Sequence, residues 1–255
     1  MTWRELYEFA LIEVNKLNAP SLLLEDYNYF INKAVQQYMN MAYNKFDVSQ
    51  QTNDDLRVLT ASKTYKSTVP GDITDNTITL PADYVHLLNC IVIIEKPENS
   101  LGKCSNSSKT PNPIAAKRVT SDSYAGILNN YYLRPAINRP YYMLKSSDTH
   151  VVAPLIEDPE QNRIANRYNS QLEIKCGEGR VTEIQIDYVR APQKINLTEE
   201  MIWEDDFGGS IPSLEFPDYV CYEIINIFVK LLMENSGDPR LQTNLAVNTT
   251  IPSGA

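Results

Sequence analysis

Few side chains in this sequence have the chemistry that catalysis needs. The chain contains two histidines, His86 and His150, and none of the patterns HExxH, GxSxG, CxxC, GxGxxG or a Walker motif. A histidine that acts as general base or metal ligand needs a nucleophile, a carboxylate or further ligands beside it. Both histidines are therefore predicted to be structural, with His86 at the point where a strand enters the core.

Acidic side chains are the second group with possible chemistry. Near residue 200 lie five carboxylates, Glu199, Glu200, Glu204, Asp205 and Asp206. Paired carboxylates can hydrolyse glycosides or bind metal, but a solvated loop explains such a run more simply. Asp72 and Asp75 suggest a cation loop, yet the EF-hand glycine and terminal glutamate are missing, so a turn is preferred. We expect no catalytic residues, no cofactor and no metal, and hence no enzyme.

The four cysteines have spacings that fit neither a metal knuckle nor a dense disulfide framework. They are Cys90, Cys104, Cys176 and Cys221. Reduced thiols are predicted, and Cys90 and Cys221 lie among apolar neighbours as expected of core residues.

Composition limits the partners that this chain can have. The 255 residues are 43% hydrophobic and carry a formal net charge of −9, so a sizeable core is expected and tight binding to nucleic-acid phosphates is not. Lys117 and Arg118 are the only adjacent basic pair. No apolar stretch reaches the length of a membrane span, and the acidic start of the chain is unlike a secretory leader, so no membrane partner is expected.

Three segments have the apolar periodicity of amphipathic helices. The first covers residues 3–17, and the last runs from 217 to 234, with Pro217 suited to its first turn and Gly237 beyond its end. The second segment has a stripe at helical spacing, which is predicted to pack on the first helix: Tyr27, Phe30, Ile31, Ala34, Tyr38, Met41 and Ala42.

Short strands are predicted between the second helix and the last. Candidate strands lie at residues 56–61, 63–69, 77–80, 87–94, 149–153, 171–175 and 183–190, and another is predicted within 131–144. The strand at 87–94 is apolar on both faces, as expected of a covered central strand. It follows a corner made by Leu80, Pro81, Asp83 and Tyr84, in which proline ends one strand and redirects the chain.

The remaining segments are predicted to be loops and one short helix. Residues 98–114 are small and polar and form a long loop, a short helix lies near 119–129, and the glycines at 177 and 179 suggest a hairpin tip. The predicted fold is therefore α+β. Residues 1–46 and 215–238 form a helical core, 47–214 form a mainly antiparallel β insertion, and 239–255 form an extended tail.

The order of these elements resembles head-to-tail connector proteins, also called adaptors, of tailed bacteriophages, most closely the ring proteins of short-tailed and crAss-like phages. The resemblance rests on two N-terminal helices, on four short motifs, and on the long C-terminal helix. The motifs are Asn32-Lys33-Ala34-Val35, Leu80-Pro81-Ala82-Asp83-Tyr84, Ile186-Asp187-Tyr188-Val189-Arg190-Ala191-Pro192 and Gly237-Asp238-Pro239-Arg240. Residues 98–170 are longer than a minimal connector needs.

The resemblance implies a structural virion protein at the head–tail junction. Such a subunit forms a ring with copies of itself, commonly twelvefold, docks to the portal, and contacts neighbouring connector or tail proteins. Double-stranded DNA passes through the channel without specific binding, which an acidic surface suits.

Two segments are predicted to contact partners in such a ring. The tail offers Leu241, Leu245, Val247, Ile251 and Pro252, and the long loop offers Leu101, Lys103, Pro111 and Pro113. One alternative is a phage-associated domain that binds or hydrolyses carbohydrate, which the 16 tyrosines and the acidic loop favour. A third hypothesis is a scaffolding domain whose partner the sequence does not identify.

Overall fold

The computed structural model describes residues 1–16, 22–46, 50–95, 112–146, 170–203 and 211–236. Within these ranges the protein is a mixed α+β fold. The helices are α1 Trp3–Lys16, α2 Leu24–Asn44, α3 Gln50–Leu56, α4 Ser121–Asn129, α5 Glu199–Trp203 and α6 Asp218–Ser236. The strands are β1 Thr60–Lys66, β2 Thr77–Thr79, β3 Tyr84–Glu95, β4 Ile114–Ala115, β5 Lys117–Arg118, β6 Tyr141–Lys145, β7 Gln171–Lys175 and β8 Arg180–Arg190.

The described residues fall into two compact units. The helical unit combines 1–58 with 192–236 and holds every helix except α4. The β unit comprises 59–95, 112–146 and 170–191 and holds all eight strands.

The helical unit is organised around α6, since both α1 and α2 pack against it. Tyr27 of α2 is fully buried, with its ring centroid 4.9 Å from that of Tyr7 on α1 and 5.5 Å from that of Phe228 on α6. Edge-to-face contacts of this kind add to the stabilisation that burial gives. The stripe on α2 thus packs mainly on the last helix, rather than on the first as predicted. Met41 of that stripe is 48% exposed.

The segment before the first strand differs from the prediction. Residues 50–56 form α3, and Arg57–Leu59 continue as a 3₁₀ turn. The predicted strands at 56–61 and 63–69 are replaced by the single strand β1. Asp55 and Leu56 on α3 are buried, so tertiary contacts favour the helix in a polar stretch that lacks helical periodicity.

The β unit consists of two four-stranded sheets over a shared apolar core. Their strand orders are β1-β8-β3-β4 and β2-β7-β6-β5. Ile184 and Ile186 from the first sheet meet Ile78, Leu172 and Ile174 from the second in one buried cluster. The unit is therefore a sandwich of two sheets that face each other.

The longest strand, β3, is central in its sheet and pairs antiparallel with β8 along most of its length. Its residues Leu87, Cys90, Val92 and Ile94 are buried, but the residues that alternate with them are half-buried or exposed. One face of β3 therefore enters the core, while the other is only partly covered within the described structure. The prediction that both faces are covered was too strong.

The glycine turn between β7 and β8 connects the two sheets, because β7 belongs to one and β8 to the other. It is therefore not the tip of a paired hairpin, as the sequence suggested. Gly177 has φ +70°, and a Cβ there would lie 2.9 Å from the carbonyl oxygen of Pro135. A Cβ on Gly179 would collide with Ile94, so neither position has room for a side chain.

A two-residue turn precedes β2. Asp75 and Asn76 have φ of 50° and 60°, and Thr74 and Thr77 exchange both backbone hydrogen bonds at 2.9 and 2.8 Å. This is the type I′ geometry that asparagine and aspartate tolerate. Asn76 also accepts a hydrogen bond from the Val181 amide through its side chain, at 3.0 Å, and so connects the turn to the start of β8.

Helix α4 lies within the segment where a short helix is predicted, and it covers the outer face of the second sheet. Tyr124 and Ile127 of α4 pack on Val119, Tyr141 and Met143. The predicted strand at 149–153 lies outside the described residues.

Candidate functional site

The predicted corner is a turn that is tied to the end of β8. The Tyr84 amide donates to the Pro81 carbonyl at 3.1 Å, which closes the turn, and Leu80 is buried in the core. The Tyr188 hydroxyl donates to the Asp83 carboxylate at 3.1 Å, and the Ala191 amide donates to the Asp83 carbonyl at 2.6 Å. We call this arrangement the corner clasp. It brings together two of the motifs that carry the resemblance, although they lie about 105 positions apart.

Most of the predicted partner-contact residues lie outside the described residues. This applies to Leu241, Leu245, Val247, Ile251 and Pro252 of the tail and to Leu101, Lys103 and Pro111 of the loop. Pro113 is described and lies exposed just before β4. The corner residues form a structural clasp, and their side chains and backbone are engaged within the β unit.

The described histidine, His86, is half-buried and the described cysteines are buried, whereas His150 and Cys104 lie outside the described residues. Burial lowers the pKa of His86 on β3, so its imidazole is neutral at pH 7. Burial raises the pKa of the Cys90 thiol to about 12 and that of Cys221 to about 11, so both are protonated. Among the described residues no group of three or more His, Cys, Asp or Glu side chains has the geometry to hold a metal ion.

The helical unit contains a buried carboxylate that sequence reasoning missed. Asp55 on α3 is 6% exposed and accepts hydrogen bonds from the hydroxyls of Tyr38, at 3.3 Å, and Tyr219. The bond to Asp55 raises the pKa of Tyr219 to about 12. Burial, and then the charge of Asp55, raise the pKa of Glu223. Two tyrosines from α2 and α6 thus hold α3 in place.

A pair of asparagines on α2 binds an extended segment of backbone. Asn32 donates to the Ile195 carbonyl at 2.7 Å and accepts from the Ile195 amide at 2.9 Å. One turn earlier, Asn28 makes the same two bonds with Leu197, at 2.9 and 3.0 Å. We call these four bonds the amide ladder, because each side-chain amide pairs with the backbone as a neighbouring strand would. Asn32 belongs to a motif that the sequence singled out, but its partner is 163 positions away.

The described residues expose several large apolar side chains. On the helical unit, Phe9 and Tyr222 form an edge-to-face pair at 5.7 Å and are 38% and 49% exposed. Ile12 is one turn from Phe9 on α1 and is 51% exposed. We call these three residues the apolar ridge. On the β unit, Tyr131 and Tyr132 are 79% and 80% exposed.

The β unit also has an open cleft of about 350 Å³ beside α4. Tyr124, Leu128, Arg134, Glu173 and Lys175 are among its lining residues. The ammonium of Lys175 lies 5.9 Å from the centre of the Tyr124 ring and is paired with Glu173. Burial opposes ionisation of Glu173, but hydrogen bonds from Lys145 and Lys175 outweigh it and lower the pKa. The cleft therefore presents an aromatic face beside fixed charges.

Comparison of the sequence with models of protein families and with curated proteins gives no match. No helix in the ranges that the structure describes is both long and apolar enough to cross a bilayer.

Proposed function

We propose that this protein is a structural subunit of a head-to-tail connector ring of a tailed bacteriophage. In this role it docks to the portal, contacts neighbouring connector or tail proteins, and extends the DNA channel towards the tail. The ring is expected to be twelvefold and to lie at the head–tail junction of the virion.

The observation that carries the proposal is the discontinuous helical unit. Helices α1 and α2 from the start of the chain pack on α6 from its end, and the β unit is inserted between them in sequence. In the finer arrangement that we propose, the N-terminal hairpin and α6 form the helical core of a connector, and the β unit is an insertion between them in sequence.

Two further features support a role in assembly. The residues of the apolar ridge, Phe9, Ile12 and Tyr222, are 38% to 51% exposed to water, and contact with a neighbouring subunit would bury this apolar surface. The tail after Arg240 has apolar residues at 241, 245, 247 and 251, which can add to a partner surface. Ring subunits need two different faces of this kind, because cyclic contacts are head-to-tail.

Electron microscopy of the protein mixed with portal particles tests the proposal. The full chain is expected to form rings on portals, and a chain truncated after Arg240 is expected not to. A matched pair refines the test: Leu245→Asp should reduce ring formation, whereas Asn248→Asp, with the same added charge in the same segment, should not. Full-length protein that neither binds portals nor forms rings would overturn the proposal.

The apolar ridge has its own matched pair. Tyr222→Asp puts a charge where a subunit contact is proposed, and Asn226→Asp adds the same charge one turn along the exposed side of α6. We expect the first substitution to reduce the number of rings seen by microscopy and the second to leave it unchanged. Equal numbers of rings for both variants would exclude the ridge from the subunit contact.

The cleft beside α4 favours one second candidate, a carbohydrate-binding domain. Tyr124 offers an aromatic face on which a sugar ring can stack, and Arg134, Glu173 and Lys175 offer polar groups. Because Glu173 is held ionised by its lysines, it is unsuited to the general-acid step of glycoside hydrolysis, so binding is favoured over hydrolysis. Titration calorimetry with phage-receptor polysaccharides tests this, and Tyr124→Ala should abolish any heat of binding.

A further inference from the structure

The sign of the surface charge changes within the β unit. The whole chain carries a formal charge of −9, but residues 112–146 contain five basic side chains and one acidic side chain, Asp122. All five basic side chains are exposed: Lys117, Arg118, Arg134, Arg139 and Lys145. Thirty-five consecutive residues of an acidic protein therefore present a surplus of positive charge.

The fold gathers these cations along one edge of the second sheet. β5 is the outermost described strand of that sheet and pairs with β6, which places Lys117 beside Tyr141 and Arg118 beside Tyr142. Arg139 lies just before β6, and Lys145 ends it. The Tyr141 hydroxyl donates to the Leu133 carbonyl at 3.0 Å, which brings the loop with Arg134 to the same end of β6.

The row has the dimensions of a phosphodiester chain. From Tyr141 to Lys145 strand β6 advances by about 13 Å, at roughly 3.3 Å per residue, and Arg139 lies two residues before it. A strand of DNA places a phosphate about every 3.4 Å along the helix axis, so several phosphates fit beside this row. Two acidic side chains lie near this row. Glu173 on β7 pairs with Lys145 at 2.7 Å and with Lys175, and Asp122 is exposed in the first turn of α4. The basic side chains outnumber these two acids, so the positive surplus remains.

Two tyrosines lie next to these cations. Tyr131 and Tyr132 are the most exposed aromatic side chains of the β unit and precede Arg134 by two or three residues. Exposed aromatic rings beside arginines can stack on nucleotide bases. A simpler explanation, that charges on an edge strand prevent sheet-to-sheet pairing, accounts for Lys117 and Arg118 but not for the cations on the loop and on β6.

We propose that this basic edge of the second sheet, which we call the basic face, binds the phosphodiester backbone of nucleic acid without sequence preference. It is defined by Lys117, Arg118, Arg134, Arg139 and Lys145 with Tyr131 and Tyr132, and the cations of β5 extend to both sides of the sheet at this edge. The inference goes beyond the ring role, which requires only that DNA passes, and the isolated chain can be tested for it. Affinity is expected in the range of ordinary non-specific binding, roughly 10⁻⁴ to 10⁻⁶ M near physiological salt. The acidic remainder of the surface keeps the contact weak.

Fluorescence anisotropy with a labelled duplex of 20 base pairs and a labelled single strand of 20 nucleotides tests the proposal. The face variant is Lys117→Gln/Arg118→Gln/Arg139→Gln. Its matched control is Lys33→Gln/Lys194→Gln/Lys230→Gln, which removes the same charge from exposed positions of the helical unit. Circular dichroism checks that both variants are folded.

We expect the face variant to bind the duplex at least tenfold more weakly at low salt and the control to change binding less than threefold. The slope of log affinity against log salt should fall by about 0.9 for each phosphate that the variant no longer neutralises, or nearly three in total. Tyr131→Ala/Tyr132→Ala should weaken single-strand binding by about tenfold and duplex binding less, because unpaired bases can stack.

A second measurement needs no variant. Acetylation of lysines in the wild-type protein, read by mass spectrometry, should be slowed by duplex DNA at Lys117 and Lys145 and unchanged at Lys33 and Lys230. Equal weakening by the two triple variants, equal protection of all four lysines, or tighter binding to phosphatidylserine vesicles than to DNA would each overturn the proposal. So would absence of DNA binding at 50 mM salt, and none of these results would bear on ring formation.

Discussion

The amide ladder predicts a large loss of stability from a substitution on the surface of α2. Asn32→Ala removes the bonds at 2.7 and 2.9 Å to the carbonyl and amide of Ile195, and Ile195 is fully buried. Each bond contributes about 1 kcal/mol, and a buried backbone group left without a partner costs about as much again. We therefore expect unfolding of the helical unit to become easier by about 2 to 3 kcal/mol.

Urea denaturation followed by tryptophan fluorescence measures this loss in the relevant unit. Trp3 in the helical unit is 4% exposed, whereas Trp203 is 80% exposed, so the change in fluorescence reports the surroundings of Trp3. At an m-value of about 2 kcal/mol per molar, a loss of 2 kcal/mol lowers the urea midpoint by roughly 1 M. The β unit has no tryptophan and does not contribute to the signal.

Two further variants test the reasoning. Asn196→Ala removes an asparagine that is exposed in the same extended segment and should change stability by less than about 0.5 kcal/mol. Asn32→Asp keeps the oxygen that accepts from the Ile195 amide but replaces the donating nitrogen with a second oxygen. That oxygen repels the carbonyl oxygens of Ile195 and Asn28, so Asn32→Asp should destabilise the helical unit more than Asn32→Ala does at pH 7. If Asn32→Ala costs no more than Asn196→Ala, the ladder does not stabilise the unit.

Other contacts give predictions of the same kind. Tyr188→Phe removes the hydroxyl bond to the half-buried Asp83 and should cost about 1 kcal/mol, seen as a lower midpoint of thermal unfolding. Asn76→Ala should cost more than Asn76→Gly by about 1 kcal/mol in the same assay, because both lose the bond to Val181 but only alanine is strained at φ 60°. Burial raises the pKa of Glu223, so ionisation of this carboxyl at pH 7 destabilises the folded state. Glu223→Gln removes the charge and should raise the urea midpoint at pH 7. This increase in the midpoint should vanish as the pH falls below about 4.5, because Glu223 is then protonated in the folded and unfolded states. If the increase in the urea midpoint instead grew as the pH fell, ionisation of Glu223 would not be what destabilises the wild-type protein.

The parts of the fold that sequence predicts well are those with local periodicity. The stripe on α2 places Tyr27, Ile31 and Tyr38 in the core, and all three are buried. Residues 171–175 alternate apolar and polar side chains and form β7. In both cases a regular spacing determines which side chains share a face, so a single sequence is enough to recognise the element.

The parts that sequence misses depend on contacts between distant residues. The segment at 50–56 is polar and gives no periodic signal, yet Tyr38 and Tyr219 fix it as α3 by binding Asp55. Glycines 177 and 179 indicate a turn, but they do not show that it connects two sheets. The positive surplus of residues 112–146 can be read from the sequence, but the sequence does not show that Lys117 and Arg118 lie beside β6, because that depends on the parallel pairing of β5 with β6.

The division of the helical unit between the two ends of the chain has a consequence during protein synthesis. The buried faces of α1 and α2 need α6, including Phe228, to cover them. On the order of 170 residues separate the end of α2 from the start of α6, and their synthesis takes roughly 9 to 35 s at about 5 to 20 residues per second. The β unit is complete before α6 emerges from the ribosome. The apolar ridge needs Tyr222 of α6, so it is complete only after the β unit, and a nascent chain that still lacks α6 does not present it to other subunits.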